Sequence, residues 1–328
     1  MHGGPDALGV PQHDFSTNSN ACGPCPEALA AVQAADATRY PDPAYTALRE
    51  ALAAFHGVES QRVVLAGSAS EFIFRISSAV AQGGAGRVWL PAHGYDDYAR
   101  AAQAWGLVSV AQPREAKLLW ACDPASPLAC AHEGLAALVD GLNAAQSCVL
   151  DLAYEPLRLQ DELALSTAQR DCVWQMWTPN KALGLTGVRA AYAIAPLGAE
   201  GLAARLQQLA PSWPVGAHGV AMLQAWTRPP VQAWLARSRD TLRDWKARQI
   251  ACCEALGWTV RPSVANFFCA RPAGVDLPAA LQRLRAQGIK LRDTTSFGLP
   301  GELRLGVLAP PAQDALMAAW TSIKEQSA

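Results

Sequence analysis

Two short stretches of the sequence hold residue types whose spacing can support chemistry. In "NSNACGPCPEAL", Cys22 and Cys25 flank a Gly-Pro pair. This spacing performs disulfide exchange when a strand delivers the first thiol to a helix N-terminus and lowers its pKa. No strand pattern precedes Cys22, so we read these residues as a Gly-Pro turn without redox function. In "WTPNKALGLTGVRAAYAI", Thr178 stands three residues before Lys181 and Arg189 eight after it. A partly desolvated lysine amine is a nucleophile, and a guanidinium fork beside neutral donors holds a dianionic phosphate. A lone lysine between strands is most often a solvated surface residue. The hydroxyl and the guanidinium at these offsets make it a candidate.

The surrounding pattern alternates. "RVVLAG", "RVWLPA", "KLLWACDP", "SCVLDLAY", "CVWQMWT" and "RAAYAIA" are short apolar runs of strand character, while "SASEFIFRISSAVA", "DDYARAAQAWG" and "EGLAALVDGLNAA" place apolar residues at helical spacing. Such alternation predicts an α/β fold with a mainly parallel sheet sandwiched by helices, ligands sitting at the carboxyl ends of the strands. The opening to about Pro26, rich in Gly, Pro, Asn and Ser, predicts an extended arm outside the core. Two helical patterns follow it, split by "RYPDP". Beyond Pro211–Pro214 a long helical stretch, interrupted at Pro229 and Pro230, leads to a smaller α+β ending that contains "IKLRDTT" and "ELRLGVL". The predicted division is an arm and first helix over 1–40, a large domain over 41–212, and a linking helix with a small domain over 213–328.

Composition narrows the function classes. With 51% hydrophobic and 17% charged residues the chain can bury a large core. Its 27 basic and 28 acidic residues are interleaved, without the basic stripe that follows a phosphate backbone, so nucleic acid is not the expected partner. Charges interrupt every apolar stretch before the roughly 20 residues needed to span a bilayer. The first residues lack a secretory pattern, and a cytoplasmic location is expected. Nine cysteines, scattered and odd in number, read as reduced thiols, and no metal site is expected.

The Lys181 segment resembles that of fold-type I pyridoxal-phosphate enzymes, the aspartate aminotransferase superfamily. The resemblance extends from the amino-terminal arm to Arg304. It implies that Lys181 forms a Schiff base with pyridoxal phosphate, whose phosphate is bound by Thr178 and Arg189. "VLDLAYEPL" resembles the family's strand end, which places Asp151 under the pyridine nitrogen and Tyr154 beside the phenolic oxygen. A carboxylate there keeps the ring nitrogen protonated, so that the ring accepts electrons. "LAGSASEFIF" matches the first phosphate-binding turn, with N–H groups of Ser68 and Ala69 at a helix start. "PAHGYDDY" matches the segment that lays a ring over the cofactor, which implies His93. "RYPDPAYTALREAL" implies that Tyr40 reaches the cofactor phosphate of a neighbouring subunit, hence a homodimer with shared sites. "ELRLGVL" nominates Arg304 for a substrate carboxylate, and Arg292 is a second anion-binding candidate.

"DFSTNSNACGPCPEAL" resembles the arm of the histidinol-phosphate aminotransferase branch, which draws attention to Asn18 and Asn20. The opening "MHGGPDALGVPQ" is similar to the start of L-threonine-O-3-phosphate decarboxylases of cobalamin biosynthesis, with His2, Gly3 and Gly4 as a possible phosphate dock. This resemblance implies decarboxylation of a small phosphorylated amino acid. Transamination of histidinol phosphate or a similar amine is the alternative. The family's "NPNNPTG" is "DPASPLA" here, with Ser126 in place of the Asn that faces the phenolic oxygen. That departure motivates a further alternative, a cofactor-binding protein with impaired catalysis.

Overall fold

The computed structural model describes residues 3–84 and 86–325. The first elements are β1 (His13–Asp14), α1 (Pro26–Gln33) and α2 (Thr46–His56). An alternating run follows: β2 (Val63–Ala66), α3 (Ala69–Gln82), β3 (Arg87–Trp89), α4 (Asp96–Ala104), β4 (Val108–Ser109) and β5 (Leu118–Cys122). It continues with α5 (Leu135–Asp140), β6 (Ser147–Asp151), α6 (Thr167–Arg170), β7 (Trp174–Trp177), β8 (Ala191–Ile194) and α7 (Glu200–Gln208). Next come α8 (Ala217–Trp226), α9 (Pro229–Ala255), β9 (Thr259–Val260), β10 (Phe267–Arg271) and α10 (Leu277–Ala286). The chain closes with β11 (Ile289–Lys290), β12 (Arg292–Asp293), β13 (Leu303–Gly306) and α11 (Pro310–Glu325).

The large sheet has seven strands in the order β2-β8-β7-β6-β5-β3-β4. From β7 across to β4 neighbours are parallel, and β8 alone runs against both of its neighbours. The expectation of a mainly parallel sheet holds. β5 is buried along its whole length, because helices cover both faces and such strands read as continuous apolar runs. Phe72 and Ile73 of α3, Tyr98 of α4 and Leu206 of α7 pack with Trp174 and Met176 on one face. The other face joins α1, α2, α8 and α9 in the main core. The smaller sheet, β12-β13-β10-β9, is antiparallel.

Local departures have local causes. Pro229 and Pro230 do not interrupt a helix but start α9, where a missing N–H costs nothing. The "EGLAALVDGLNAA" pattern yields only the six residues of α5, bounded by Gly134 at φ 69° and by Gly141. α7 is a helix that the pattern of "EGLAARLQQ" did not announce. "IKLRDTT" divides at Leu291, because β11 pairs with the arm and β12 with β13.

The arm differs most from expectation. β1 pairs in parallel with β11, and Phe15 is fully buried. Gly306 N–H donates to Phe15 O at 2.8 Å. A Cβ on Gly306 would stand 2.2 Å from Thr17 O, so only glycine admits the arm at this crossing. A stretch of turn-forming composition can be buried here because the body of the protein satisfies its polar groups: Asn20 N–H donates to Lys181 O at 2.9 Å and its side-chain amide to Ala182 O at 3.0 Å. Among the described residues no helix is long and apolar enough to cross a membrane.

Candidate active site

Asp151 ends β6 and Thr178 follows β7, so the two lie side by side at the carboxyl edge of the parallel strands. Asp151 is buried. Its Oδ2 accepts a hydrogen bond from Tyr98 Oη at 2.6 Å, and its Oδ1 accepts one from Ala153 N–H at 2.9 Å. Burial pushes the Asp151 carboxyl up from its ordinary range, while the Tyr98 hydroxyl pulls it back. Tyr98, fully buried in α4, is itself held by stacking on Trp120 at 4.4 Å between ring centroids.

Lys181 sits in a tight turn after β7. Leu183 N–H donates to Pro179 O at 2.9 Å and Leu185 N–H to Asn180 O at 2.8 Å. Gly184 has φ 69°, and a Cβ there would meet Gly23 O at 2.7 Å, so the turn and the arm interlock at a glycine. Lys181 Nζ donates to Thr178 Oγ1 at 3.3 Å and lies 5.3 Å from the centroid of the Tyr154 ring. Tyr154 Oη in turn accepts from Asn18 Nδ2 at 3.2 Å. Asn18 Oδ1 and Asn180 Oδ1 are buried without a partner among the described residues.

One cavity carries Ser68, Ala69, Tyr95, Asp151, Lys181 and Arg189 on its walls. Ser68 caps α3, its Oγ accepting from Glu71 N–H at 3.0 Å, and the next N–H groups have no acceptor within the helix. Arg189 is exposed at the rim, with no side-chain partner among the described residues. A second cavity shares Tyr95, Ser126, Tyr154 and Lys181 with the first, so the two form one cleft. Gly3, Arg292, Phe297 and Arg304 line this second part.

Arg292 and Arg304 are both buried, and both meet only neutral acceptors. Arg304 Nη2 donates to Ser16 O at 3.0 Å and Nη1 to Ser126 Oγ at 3.5 Å, while its Nε is unpartnered. Arg292 Nη2 donates to Ser296 Oγ at 3.0 Å, and its guanidinium lies over the Phe297 ring. Burial, then the Arg304 charge, lowers the pKa of Arg292. No carboxylate pairs with either arginine among the described residues. Asp96 and Asp293 offset the Arg292 charge from a distance, and Asp96 lines the same cavity, but buried cations without a directly paired carboxylate are costly unless an anion completes the site.

The structure thus gathers Asp151, Tyr154, Thr178, Lys181, Arg189, Ser68, Ala69, Ser126, Asn18, Arg292 and Arg304 around one cleft. His93 lines neither cavity, its ring bonding Phe297 O through Nδ1 at 2.7 Å, whereas Tyr95, two residues later, lines both, as does Tyr154. The cause is that "GYDDY" opens α4, whose first turn aims Tyr95 and Tyr98 inward. Tyr40 is 77% exposed, stacks on Trp213 at 4.3 Å and does not line the cleft of its own chain. His2 lies outside the described residues. Tyr98 and Tyr95 were not singled out in the sequence; their spacing of three on a helix start is the signal that identifies them. Cys22 and Cys25 are free thiols that burial pushes up, the reverse of a reactive thiolate.

Residues 10–320 match the family model "Aminotransferase class I and II". The histidinol-phosphate aminotransferase of Hyphomonas neptunium is 29% identical, over 94% of this chain and 88% of its own length. The solved histidinol-phosphate aminotransferase of Sinorhizobium meliloti, in complex with pyridoxal-5'-phosphate, superposes with a TM-score of 0.84 at 22% identity, covering 100% of this chain and 96% of its own. L-threonine-O-3-phosphate decarboxylase of Porphyromonas gingivalis has a TM-score of 0.74 at 18% identity, covering 90% and 92%. These two likenesses establish the shared fold. With a family match across nearly its whole length, the chain belongs to the aminotransferase class I and II family.

Proposed function

We propose that this chain is a pyridoxal-phosphate-dependent enzyme of the aminotransferase type that acts on a small amine bearing a phosphate, histidinol phosphate or a close analogue. The observation that carries the reading is Lys181 Nζ on the wall of a cleft with a buried carboxylate, Asp151, and two buried arginines, Arg292 and Arg304, that are in no salt bridge among the described residues. The donor set fits the cofactor: a buried carboxylate with neutral partners suits a protonated ring nitrogen, and a free guanidinium beside a helix N-terminus suits a phosphate. When bound, the cofactor supplies an aldehyde that condenses with amines and a ring that takes up the electron pair released at the substrate α-carbon.

The remaining work falls to the protein's own residues. Thr178, Arg189 and the N–H groups of Ala69 and Ser70 cradle the cofactor phosphate. Asp151 keeps the ring nitrogen protonated, with Tyr98 holding the carboxylate in place. Lys181 carries the cofactor and moves a proton at Nζ. Tyr154, oriented by Asn18, faces the phenolic oxygen, and Tyr95 walls the ring. Arg304 and Arg292 bind the anionic groups of the substrate and exclude neutral amines. Tyr40, exposed and rigidly stacked, serves the cleft of a second copy in a homodimer; a monomer by light scattering with full cofactor occupancy would contradict this.

Decarboxylation of a small amino-acid phosphate, the first expectation from the sequence, becomes the second reading, because similarity to the Hyphomonas histidinol-phosphate aminotransferase supports transamination better. One observation keeps it: Gly3 of the arm lines the cleft beside Arg292 and Arg304, which offers docks for two anions at once. Purified, cofactor-loaded protein with histidinol phosphate and a 2-oxo acid should yield the corresponding amino acid. Release of carbon dioxide from threonine phosphate instead would establish the second reading. Full cofactor loading without either product would mean impaired catalysis, for which Ser126 is the motive.

A further inference from the structure

The segment that brings Gly3 to the cleft buries Gly4 but packs no large apolar side chain, and is fastened by charge and hydrogen bonds. Leu8 and Val10 are 71% and 80% exposed, so hydrophobic packing does not hold residues 3–9. The charged centre of their fastening is Asp6, beside which Arg285 Nη2 also donates to Gly9 O at 2.8 Å. Asp6 Oδ1 accepts from Arg285 Nη2 at 2.8 Å and from Leu8 N–H at 2.9 Å. Its Oδ2 accepts from Arg285 Nε at 3.0 Å and pairs with Lys290 Nζ at 2.9 Å. The bidentate Arg285 contact and the Lys290 ammonium hold the Asp6 carboxyl well below its ordinary range.

Lys290 also donates to Gly4 O at 2.6 Å, and Gly4 N–H donates to Ser16 Oγ at 2.9 Å. Both glycines are required where they stand. A Cβ on Gly3 would lie 2.2 Å from Ser16 O, and Gly4 has φ 93°. Lys290, buried on β11, stands two residues before Arg292, and Ser16 is the residue whose carbonyl holds Arg304. One carboxylate therefore ties the arm to Arg285 of α10 and to Lys290 of β11, the strand that runs directly into Arg292 of β12.

We propose that Asp6 is a positioning residue: it latches residues 3–9 over the arginine end of the cleft, so that this segment forms a wall of the substrate anion site. The proposal rests on the reading of that end as the anion site, and its test includes a measurement that does not depend on turnover.

The test compares the cofactor-loaded wild type with Asp6→Asn and Asp6→Glu. Hydrogen exchange of residues 3–9 is measured with and without orthophosphate, and KM and kcat are measured with the phosphorylated substrate. Asp6→Asn should exchange faster at residues 3–9, lose the protection orthophosphate gives there, and raise KM roughly tenfold with kcat within about twofold. Asp6→Glu should restore both, and the absorbance of the bound cofactor should be the same in all three proteins. Native exchange at residues 3–9 in Asp6→Asn would overturn the latch, whatever substrate is turned over. Faster exchange with unchanged KM and unchanged orthophosphate protection would show that the segment is not a wall of the site.

Discussion

Tyr98 Oη donates to Asp151 Oδ2 at 2.6 Å, joining the start of α4 to the end of β6 beneath the cleft. The bond favours the ionised carboxylate against the burial that opposes it. Tyr98→Phe keeps the stacking on Trp120 but removes the donor, so the Asp151 pKa should rise further. Because the proposed role of Asp151 requires the ionised form, the acid limb of the kcat profile should move to higher pH, with a loss of about tenfold at neutral pH. An unmoved limb would show that Tyr98 only packs.

Arg304 pairs with no carboxylate among the described residues, which leaves its charge available for the proposed anionic substrate. Arg304→Gln should raise KM for an anionic substrate by about a hundredfold, equivalent to 2 to 3 kcal/mol, with cofactor absorbance unchanged. Arg292→Gln should act in the same direction. Steady-state kinetics with a charged and a neutral amine check both, because the neutral amine should be indifferent to either change.

His56 provides a pH dependence of stability away from the cleft. Its Nε2 lies 2.8 Å from Tyr192 Oη, and burial, then the Arg170 charge, lowers its pKa from 6.5 to about 4. The folded state binds this proton less readily than the unfolded chain, so the contribution is present above pH 6.5 and lost as pH falls towards 4. It amounts to at most about 3 kcal/mol. His56→Gln should flatten the fall in Tm across that window, measured by calorimetry against wild type. An equally steep fall in the variant would assign the acid sensitivity to other groups.

The chemistry most legible in the sequence was local. Thr178 and Lys181 occupy one turn, and Asp151 and Tyr154 one strand end, so the family resemblance that nominates them is carried by short contiguous stretches. The alternating runs likewise announced the parallel sheet, since strands covered on both faces are apolar throughout. What escaped depends on contacts between distant segments. The arm looks like a solvated turn because its buried polar groups are satisfied by Lys181, Ala182 and Gly306, far along the chain. Tyr95 went unnoticed because resemblance registers a residue and not the direction in which a helix start aims it. Asp6 carries no motif at all; its role emerges only where β11 brings Lys290 beside the arm.

The central claim is that Lys181 carries the cofactor, and mass spectrometry of the borohydride-reduced, cofactor-loaded protein tests it most directly. The account predicts that the peptide containing Lys181 gains the mass of reduced pyridoxal phosphate, and that Lys181→Ala gains none anywhere while still folding. A reduced adduct on another lysine, or an adduct that persists in Lys181→Ala, would contradict it.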